Sequence, residues 1–443
     1  MISNKPLKVE NPKWDRCSRN GFLTVGKKRT TFHTISPLII SHDYDLMPYF
    51  ENLKLHPTES KHARMMTFRV IDAENTIKPL LQSMNQTSLV EGEVSFQFER
   101  DLIETVPILI DPCTEYTWYE NYRETIAKQK DLPKEIRNLA SKLEKIQLDA
   151  KGGKIPSQES YQRVKNTYEK FWLDLVKDPK LLTDVVTKML GLQHALGADI
   201  GLPPVPAVYS PELLEVAIKI NNLAQAIWVG ENCATYIILT PQWMKSEGLI
   251  KLLIDYIKSV NSKFIVLKIK NSELEKVSFV YQRKMFKKIL EAINGIKQNN
   301  EDKVFMLLEA GYLMYPAISG GFDFVSTSLR GLDKDGGGFG DPDNEGRGGY
   351  FDPKHLVVLP WRDVKLMLQN GGLTCSCEVC RSITSIPTKK EWNKLRRMHY
   401  MLAVSRLLED VNKFVEDQKI ELAVEKLSKS ELSNFKRMLP FIS

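Results

Sequence analysis

Three cysteines and one histidine stand near the C-terminal end of the sequence at the spacing of a metal site. Cys375, Cys377 and Cys380 form a C-x-C-x-x-C run, and His399 follows in a stretch with a helical pattern. Zn²⁺ prefers four tetrahedral ligands of these types, and catalytic zinc keeps one position open for water. Because protein would fill all four positions here, we expect a structural zinc and expect the chemistry elsewhere.

Chance proximity and disulfide bonding are the alternative interpretations of these cysteines. Half of the six cysteines fall within six residues, which disfavours chance, and three neighbouring thiols cannot all pair with one another. Residues 1–30 contain no long apolar run, so the sequence predicts neither a signal peptide nor a membrane segment. A reducing cytoplasm is the expected compartment. His355, on the other side of the cysteines, is a reserve fourth ligand.

Carboxylates beside apolar runs are the candidates for chemistry. Asp111 closes Pro-Ile-Leu-Ile-Asp, Asp199 lies in Gly-Ala-Asp-Ile-Gly, and Asp323 lies in Gly-Gly-Phe-Asp-Phe-Val. A carboxylate can act as a nucleophile or exchange protons with a reacting group. An aspartate at the end of a strand can equally be only the N-cap of the next helix.

Short apolar runs of strand length alternate with helical patterns along the chain. The predicted strands are Val106–Asp111, Ala234–Thr240, Phe264–Ile269, Val304–Leu308 and Phe322–Val325, and the predicted helices include Pro211–Trp228, Met244–Val260 and Val280–Ile296. This alternation favours parallel β-α units. A (β/α)₈ TIM barrel is the leading architecture, and a doubly wound sheet is the second. In a barrel, we expect the three aspartates at the C-terminal ends of strands, where active sites form.

Two segments interrupt this alternation and suggest the domain organisation. An inserted pair or trio of helices is predicted at about 120–180, and a Gly-rich loop at about 332–350. The loop is either a lid or an idle surface loop, and it lacks the Lys-Ser/Thr ending of a phosphate loop. We predict a lead at 1–31, a barrel domain at 32–360, and a zinc-binding module with C-terminal helices at 361–443.

Positive charge is concentrated in the predicted insertion. The whole chain has a formal net charge of +7, and Tyr119–Lys180 alone holds 14 Lys/Arg against 10 Asp/Glu. Aromatic residues alternate with these charges, a composition that suits phosphate contact and base stacking. A solvated helical hairpin is the alternative explanation.

The order of these motifs resembles the tRNA-guanine transglycosylase family, zinc-bearing TIM barrels that exchange a guanine in a polynucleotide for a 7-deazaguanine. The resemblance runs from about Phe32 to Asp417. It implies a (β/α)₈ barrel with a helical insertion and a C-terminal zinc-binding subdomain. The family's zinc motif, three cysteines and a helical histidine, has counterparts in Cys375, Cys377, Cys380 and His399.

The same resemblance implies roles for the three aspartates. Gly321–Arg330 is similar to the family's nucleophile strand, which implies that Asp323 attacks C1′ and holds the sugar covalently while guanine leaves. Asp111 resembles the first active-site aspartate and would carry protons to and from the bases. Asp199 resembles the base-recognition aspartate, which accepts hydrogen bonds from a guanine-like base.

A departure from the family motif indicates a divergent branch. Pro112–Tyr116 stands where the family has Ser-Gly-Gly-Phe-Gln. The branch that fits best is similar to enzymes that place 7-cyano-7-deazaguanine in DNA, so we expect DNA as the polymer and tRNA as the alternative. The target nucleotide would be flipped out of the stack. Arg396 and Arg397 are then candidate contacts to the backbone, or merely exposed charges.

The sequence is also compatible with other functions. The family includes non-catalytic partner subunits that keep the zinc module, so a nucleic-acid-binding subunit is the main alternative to an enzyme. A barrel glycosidase for small nucleosides is another, although it would not explain the basic insertion. A helicase or ATPase partner to open the duplex, and a homodimer, are further expectations.

Overall fold

A computed structural model describes residues 6–15, 18–58, 63–86, 103–118, 122–228, 232–240, 243, 246–269, 279–300, 302–310, 317–318, 320–328, 349–353 and 357–416. Most of the Gly-rich segment 332–350 lies outside these ranges, as does His355. Within them, no helix is both long and apolar enough to cross a membrane.

A three-stranded antiparallel sheet opens the fold. Its strands are β1 Leu7–Asp15, β2 Ser18–Val25 and β3 Lys28–Thr31. Leu7, Leu23 and Val25 are buried in the main hydrophobic core. The predicted lead is therefore packed against the body of the protein.

Eight parallel strands form the central sheet. They are β4 Thr34–Ile39, β5 Met66–Arg69, β6 Ile108–Asp111, β7 Ala207–Val208, β8 Thr235–Leu239, β9 Phe264–Ile269, β10 Val304–Leu308 and β11 Phe324–Ser328. Neighbours follow the order β6-β5-β4-β11-β10-β9-β8-β7. Parallel bridges from Leu109 to Ile200 and from Gly201 to Cys233 join β6 and the start of β8 to the chain leading into β7. This curled sheet fits a TIM-like α/β fold.

Helices accompany the strands. They are α1 Met47–Leu55, α2 Ile77–Gln86, α3 Arg123–Lys128, α4 Lys134–Lys151, α5 Ser157–Leu175, α6 Pro179–Ala195, α7 Pro211–Ile227, α8 Glu247–Ser259, α9 Phe279–Asn299, α10 Trp361–Gln369, α11 Glu378–Arg381 and α12 Lys389–Glu416. Ser210 and Ser246 are the N-caps of α7 and α8. Their side chains accept the backbone N–H groups of Leu213 and Leu249, respectively. Alternating helices and buried parallel strands confirm the α/β class predicted from the sequence.

The insertion between β6 and β7 contains the four helices α3 to α6. Three of them, α3 to α5, lie within the predicted insertion at about 120–180, for which the sequence predicted two or three helices, and α6 leads the chain back to the sheet. Several basic side chains of the insertion pair with acidic neighbours on their own helix, such as Arg163 with Glu159 and Lys188 with Asp184. Much of its positive charge is therefore compensated locally.

A second, smaller core forms the C-terminal module. An antiparallel hairpin, β12 Tyr350–Asp352 and β13 Val357–Leu359, packs with α10, α11 and the start of α12 around Tyr350, Trp361, Val364, Cys377, Val379, Cys380, Trp392, Met398 and Leu402. The same helix, α12, also enters the main core, through Tyr400, Val404 and Leu408. The Tyr400 hydroxyl lies 3.2 Å from Thr327 Oγ1 in β11. One helix thus connects the module to the sheet.

Candidate functional site

The three cysteines and the histidine of the zinc motif converge as predicted. Their ligand atoms all lie within 4.8 Å of one another, with His399 Nδ1 3.4 Å from Cys377 Sγ and 3.1 Å from Cys380 Sγ. A tetrahedral zinc with bonds of about 2.0–2.3 Å needs ligand atoms separated by roughly 3.3–3.8 Å. The cluster can therefore bind a metal ion, and its donor set suits zinc.

Local hydrogen bonds orient these ligands. Cys375 Sγ accepts the N–H of Cys377, and Cys377 Sγ accepts the N–H of Cys380 at the start of α11, both at 3.4 Å. His399 Nε2 lies 2.6 Å from the carbonyl oxygen of Phe351. Since a carbonyl only accepts, Nε2 carries the proton there and Nδ1 is left for the metal.

We expect substitution of a cysteine in this cluster, but not of a cysteine elsewhere, to release the zinc. We expect the purified protein to hold about one zinc per chain, and Cys380→Ser to lose most of it and to unfold at lower temperature, because the second core is built around the ligands. Metal analysis and thermal melting measure both effects. Cys233→Ser removes a buried thiol outside the cluster and should keep the zinc; equal zinc in Cys380→Ser and wild type would contradict the assignment.

A second cluster lies at the C-terminal ends of three strands of the sheet, two of which are neighbours. Asp111 ends β6, Lys268 is the penultimate residue of β9, and Glu309 directly follows β10. Lys268 Nζ lies 2.7 Å from Asp111 Oδ2, 2.5 Å from Glu115 Oε1 and 2.6 Å from Glu309 Oε1. The side chains of Asp111, Glu115 and Lys268 are buried, and that of Glu309 is 14% exposed. We call these four residues the carboxylate–lysine cluster.

Lys268 is held as an ammonium ion. Burial alone would lower its pKa, but the three surrounding carboxylates outweigh burial and raise the pKa well above its ordinary value. A protonated amine cannot act as a nucleophile. The side chain therefore supplies positive charge and hydrogen bonds to the cluster.

Two phenols and a backbone amide complete the hydrogen bonding. Tyr116 donates its hydroxyl proton to Glu309 Oε1 at 2.8 Å, and Tyr236 donates to Asp111 Oδ1 at 3.1 Å. Burial raises the pKa of both phenols well above the usual range, so both remain donors. The N–H of Cys113 also donates to Asp111 Oδ1, at 2.9 Å.

Strained backbone conformations occur in and next to the carboxylate–lysine cluster. Cys113 and Glu309 have φ angles of 55° and 50°, the left-handed region that side chains other than glycine rarely adopt. Each such residue costs roughly 1–3 kcal/mol and is characteristic of functional sites. Two of the three non-glycine residues with positive φ in the described ranges thus belong to or adjoin the cluster.

Asp323 lies at the opposite end of the sheet. It precedes β11, its Oδ2 accepts the N–H of Phe305 near the start of β10 at 2.8 Å, and its Oδ1 pairs with Lys297 Nζ at 2.7 Å. Both Asp323 and Lys297 are buried. The expectation that Asp323 lies at a C-terminal strand end is wrong, because the strand begins after it and continues through the buried polar Ser326 and Thr327.

Asp199 lies at that same N-terminal end. Its Oδ2 accepts the N–H of Ile108, the first residue of β6, at 2.9 Å, and pairs with Lys28 Nζ at 2.6 Å. Its expected position at a C-terminal strand end is therefore also wrong. Phe305 lies near the start of β10 and Glu309 directly follows the strand, four residues later. At ~3.3 Å per residue, the two ends are therefore about 13 Å apart. Of the three aspartates, only Asp111 joins the carboxylate–lysine cluster.

The two arginines expected as backbone contacts are buried instead. Arg397 Nε lies 2.7 Å from Asp45 Oδ1, and its Nη1 donates to the carbonyl oxygen of Asn393. Arg396 Nε donates to Asn393 Oδ1 at 3.0 Å. Arg397 thus joins α12 to the segment that follows β4, and neither arginine is an exposed surface charge.

Sequence reasoning missed most of the carboxylate–lysine cluster, although signals for it exist. Lys268 is the only charged residue in the otherwise apolar strand Phe264–Ile269, and a lysine in a buried parallel strand requires acidic partners. Glu309 directly follows another apolar strand, and Glu115 stands in the segment that departs from the family motif. No model of a known protein family and no curated protein matches this sequence.

Proposed function

We propose that this protein is a base-exchange transglycosylase that replaces guanine in DNA with a 7-deazaguanine, such as 7-cyano-7-deazaguanine. The observation that carries the proposal is the carboxylate–lysine cluster at the C-terminal ends of parallel strands, in a chain that also holds a Cys₃His module. In TIM-barrel enzymes, that end of the sheet is where chemistry takes place. The sequence resemblance supplies the reaction class, and the cluster supplies the carboxyl groups that the reaction needs.

We infer further that the sheet closes as a (β/α)₈ barrel. The bridge from Leu109 to Ile200 supports closure, since it links β6 to the chain that leads into β7, the two strands at the ends of the pairing order. Hydrogen bonds from the N–H of Asp199 to the carbonyl of Ile108 and from the N–H of Gly201 to the carbonyl of Asn232 support it as well. A closed barrel leaves no unpaired edge.

In the proposed reaction, Glu309 takes the role that the resemblance gave to Asp323. It is the most exposed carboxylate of the cluster, whereas Asp323 is buried in an ion pair at the other end. A Glu309 oxygen bonds to C1′ as the C1′–N9 bond breaks, and the electron pair leaves with guanine, which takes up a proton. The incoming 7-deazaguanine then gives up its N9 proton and bonds to C1′, releasing the carboxylate.

Asp111 is the proposed proton carrier in both steps. Tyr236 and the amide of Cys113 hold one of its oxygens, and Lys268 holds the other, so its position is fixed. With all carboxyls ionised, the cluster would carry a formal charge of −2 in a buried space. Burial favours states of lower charge, which suits a cluster that takes up and releases a proton.

Zinc is proposed as the resident metal of the Cys₃His cluster, with a structural role. Bound there, it would hold the hairpin and the cysteine loop against the start of α12. Tyr400, the residue next to His399 on that helix, contacts Thr327 of β11. Metal chemistry at the barrel end is not part of the proposal.

Base exchange is the direct test of the proposal. We expect radiolabelled 7-cyano-7-deazaguanine to enter DNA, Asp111→Asn to slow this by about 10²–10⁴-fold through loss of proton transfer, and Glu309→Gln to abolish the covalent protein–DNA adduct. Glu212→Gln, an exposed position on α7, is the control. Label entering tRNA alone would replace DNA by the alternative substrate, and adducts formed by Glu309→Gln would remove this residue as the nucleophile.

A non-catalytic nucleic-acid-binding subunit is the second candidate. The buried ion pairs of Asp199 and Asp323 favour it, because two of the residues expected to be catalytic contribute to the fold instead. Binding of nucleic acid without exchange, in the presence of a helicase or ATPase that opens the duplex, would support this reading.

A further inference from the structure

Aromatic side chains from the insertion and the sheet meet beside the carboxylate–lysine cluster. The Trp118 ring lies 6.1 Å from Tyr161 and 5.2 Å from Tyr209, measured between centroids. Lys165 Nζ lies 5.2 Å from the centroid of Tyr209. Tyr161 is 51% exposed, and Trp118 and Lys165 are partly buried. We call these four residues the aromatic ledge.

The ledge stands at the same end of the sheet as the cluster. Trp118 follows the 3₁₀ turn Thr114–Thr117, and its N–H donates to the carbonyl oxygen of Glu115 at 2.8 Å. Three residues of such a turn rise about 6 Å. Tyr209 directly follows β7, at its C-terminal end. The ledge and the cluster therefore both lie at the C-terminal end of the sheet.

Buried contacts fix the ledge in one arrangement. Tyr168 accepts the N–H of Ala207 at 2.7 Å and packs edge-on against Trp118 at 5.1 Å. The buried Arg123 donates to the carbonyl oxygens of Thr117 and Trp118. A ring held in this way loses little conformational entropy when a ligand stacks on it.

We propose that the aromatic ledge is a stacking subsite for a nucleobase that neighbours the target nucleotide in single-stranded nucleic acid. Tyr161 supplies the exposed ring face or edge, and Lys165 supplies a cation for the adjoining phosphate. Base stacking on aromatic rings is tolerant of sequence, and a positive groove that follows the backbone usually accompanies it. The net charge of the insertion has the matching sign. This inference rests on the proposed function for the choice of polymer.

Equilibrium binding of short fluorescein-labelled oligothymidylate and oligouridylate, followed by fluorescence anisotropy, tests the subsite. We expect Tyr161→Ala to weaken binding about ten-fold or more and Tyr161→Phe, which keeps the ring, to bind like the wild type. Lys165→Gln should lower the slope of log affinity against log salt by about 0.7, the value for one phosphate on a single strand. Leu148→Ala, an equally exposed apolar residue of the insertion, is the control for surface loss.

The outcomes separate this inference from the proposed function. Weaker binding of either oligomer by Tyr161→Ala, with normal thermal melting, supports the ledge and shows which polymer it takes. Unchanged binding of both oligomers by Tyr161→Ala and by Lys165→Gln would overturn it, even in a protein that exchanges bases. Ring-dependent binding by a protein without base exchange would keep the ledge and reject the enzyme.

Discussion

Asp323→Ala is expected to lower the free energy of unfolding by about 3–5 kcal/mol, because it leaves the ammonium group of Lys297 buried without its carboxylate. The two atoms of this ion pair lie 2.7 Å apart, and both side chains are buried. The substitution also removes the acceptor for the N–H of Phe305. If Asp323 were instead the nucleophile that the family resemblance implies, the variant would lose catalysis without losing stability.

Urea unfolding of three variants separates these two roles. Asp184→Ala breaks an exposed ion pair with Lys188 on α6 and should change stability by less than about 1 kcal/mol. The double variant Asp323→Leu with Lys297→Met replaces both charges by apolar groups and should recover much of the loss. A stable Asp323→Ala protein that cannot form a covalent adduct would restore Asp323 as the nucleophile.

Lys268→Met is expected to destabilise the protein by about 3–5 kcal/mol or more at neutral pH, because it leaves three carboxylates together in a buried space. In the wild type, the pKa of Lys268 is raised by those carboxylates. Its stabilising contribution is therefore fully present below the unfolded value of about 10.4 and is lost only as pH rises through the higher folded value. Between about pH 5 and 8, this group gives the wild type no pH dependence.

The variant should behave differently as pH changes. Without the ammonium, burial makes the folded carboxyls hold protons more tightly than the unfolded ones do, so stability falls as pH rises. Urea unfolding at about pH 5 and about pH 8 should show a smaller deficit at the lower pH. Lys188→Met, at an exposed site, should show little deficit at either. A Lys268→Met protein as stable as the wild type at the higher pH would contradict the cluster.

The sequence was sufficient where local pattern decides the outcome. Phe264–Ile269 and Val304–Leu308 were predicted residue for residue, since strands buried on both faces are continuous apolar runs. The Cys₃His cluster was predictable because its three thiols lie on one turn. The fourth ligand, His399, lies in a stretch whose helical pattern was also recognisable.

The position of an aspartate along a strand was not predictable in the same way. Asp111 and Asp323 both adjoin apolar residues, yet one ends its strand and the other precedes it. The difference lies in Ser326 and Thr327, polar residues that the sheet buries and that extend β11 beyond its apolar start. The convergence of Asp111, Lys268 and Glu309 depends on the register of three separate strands. No local pattern encodes that register.

Synthesis on the ribosome separates in time two residues that the folded protein holds together. Asp45 and Arg397 are 352 positions apart, so at roughly 5–20 residues per second the arginine is added about 20–70 s after the aspartate. Asp45 lies in the turn after β4, where it also binds the N–H of Ser41. This ion pair can therefore form only after Arg397 has been added to the nascent chain. Contacts between such distant partners slow folding, and this one can fasten the segment after β4 only late in synthesis.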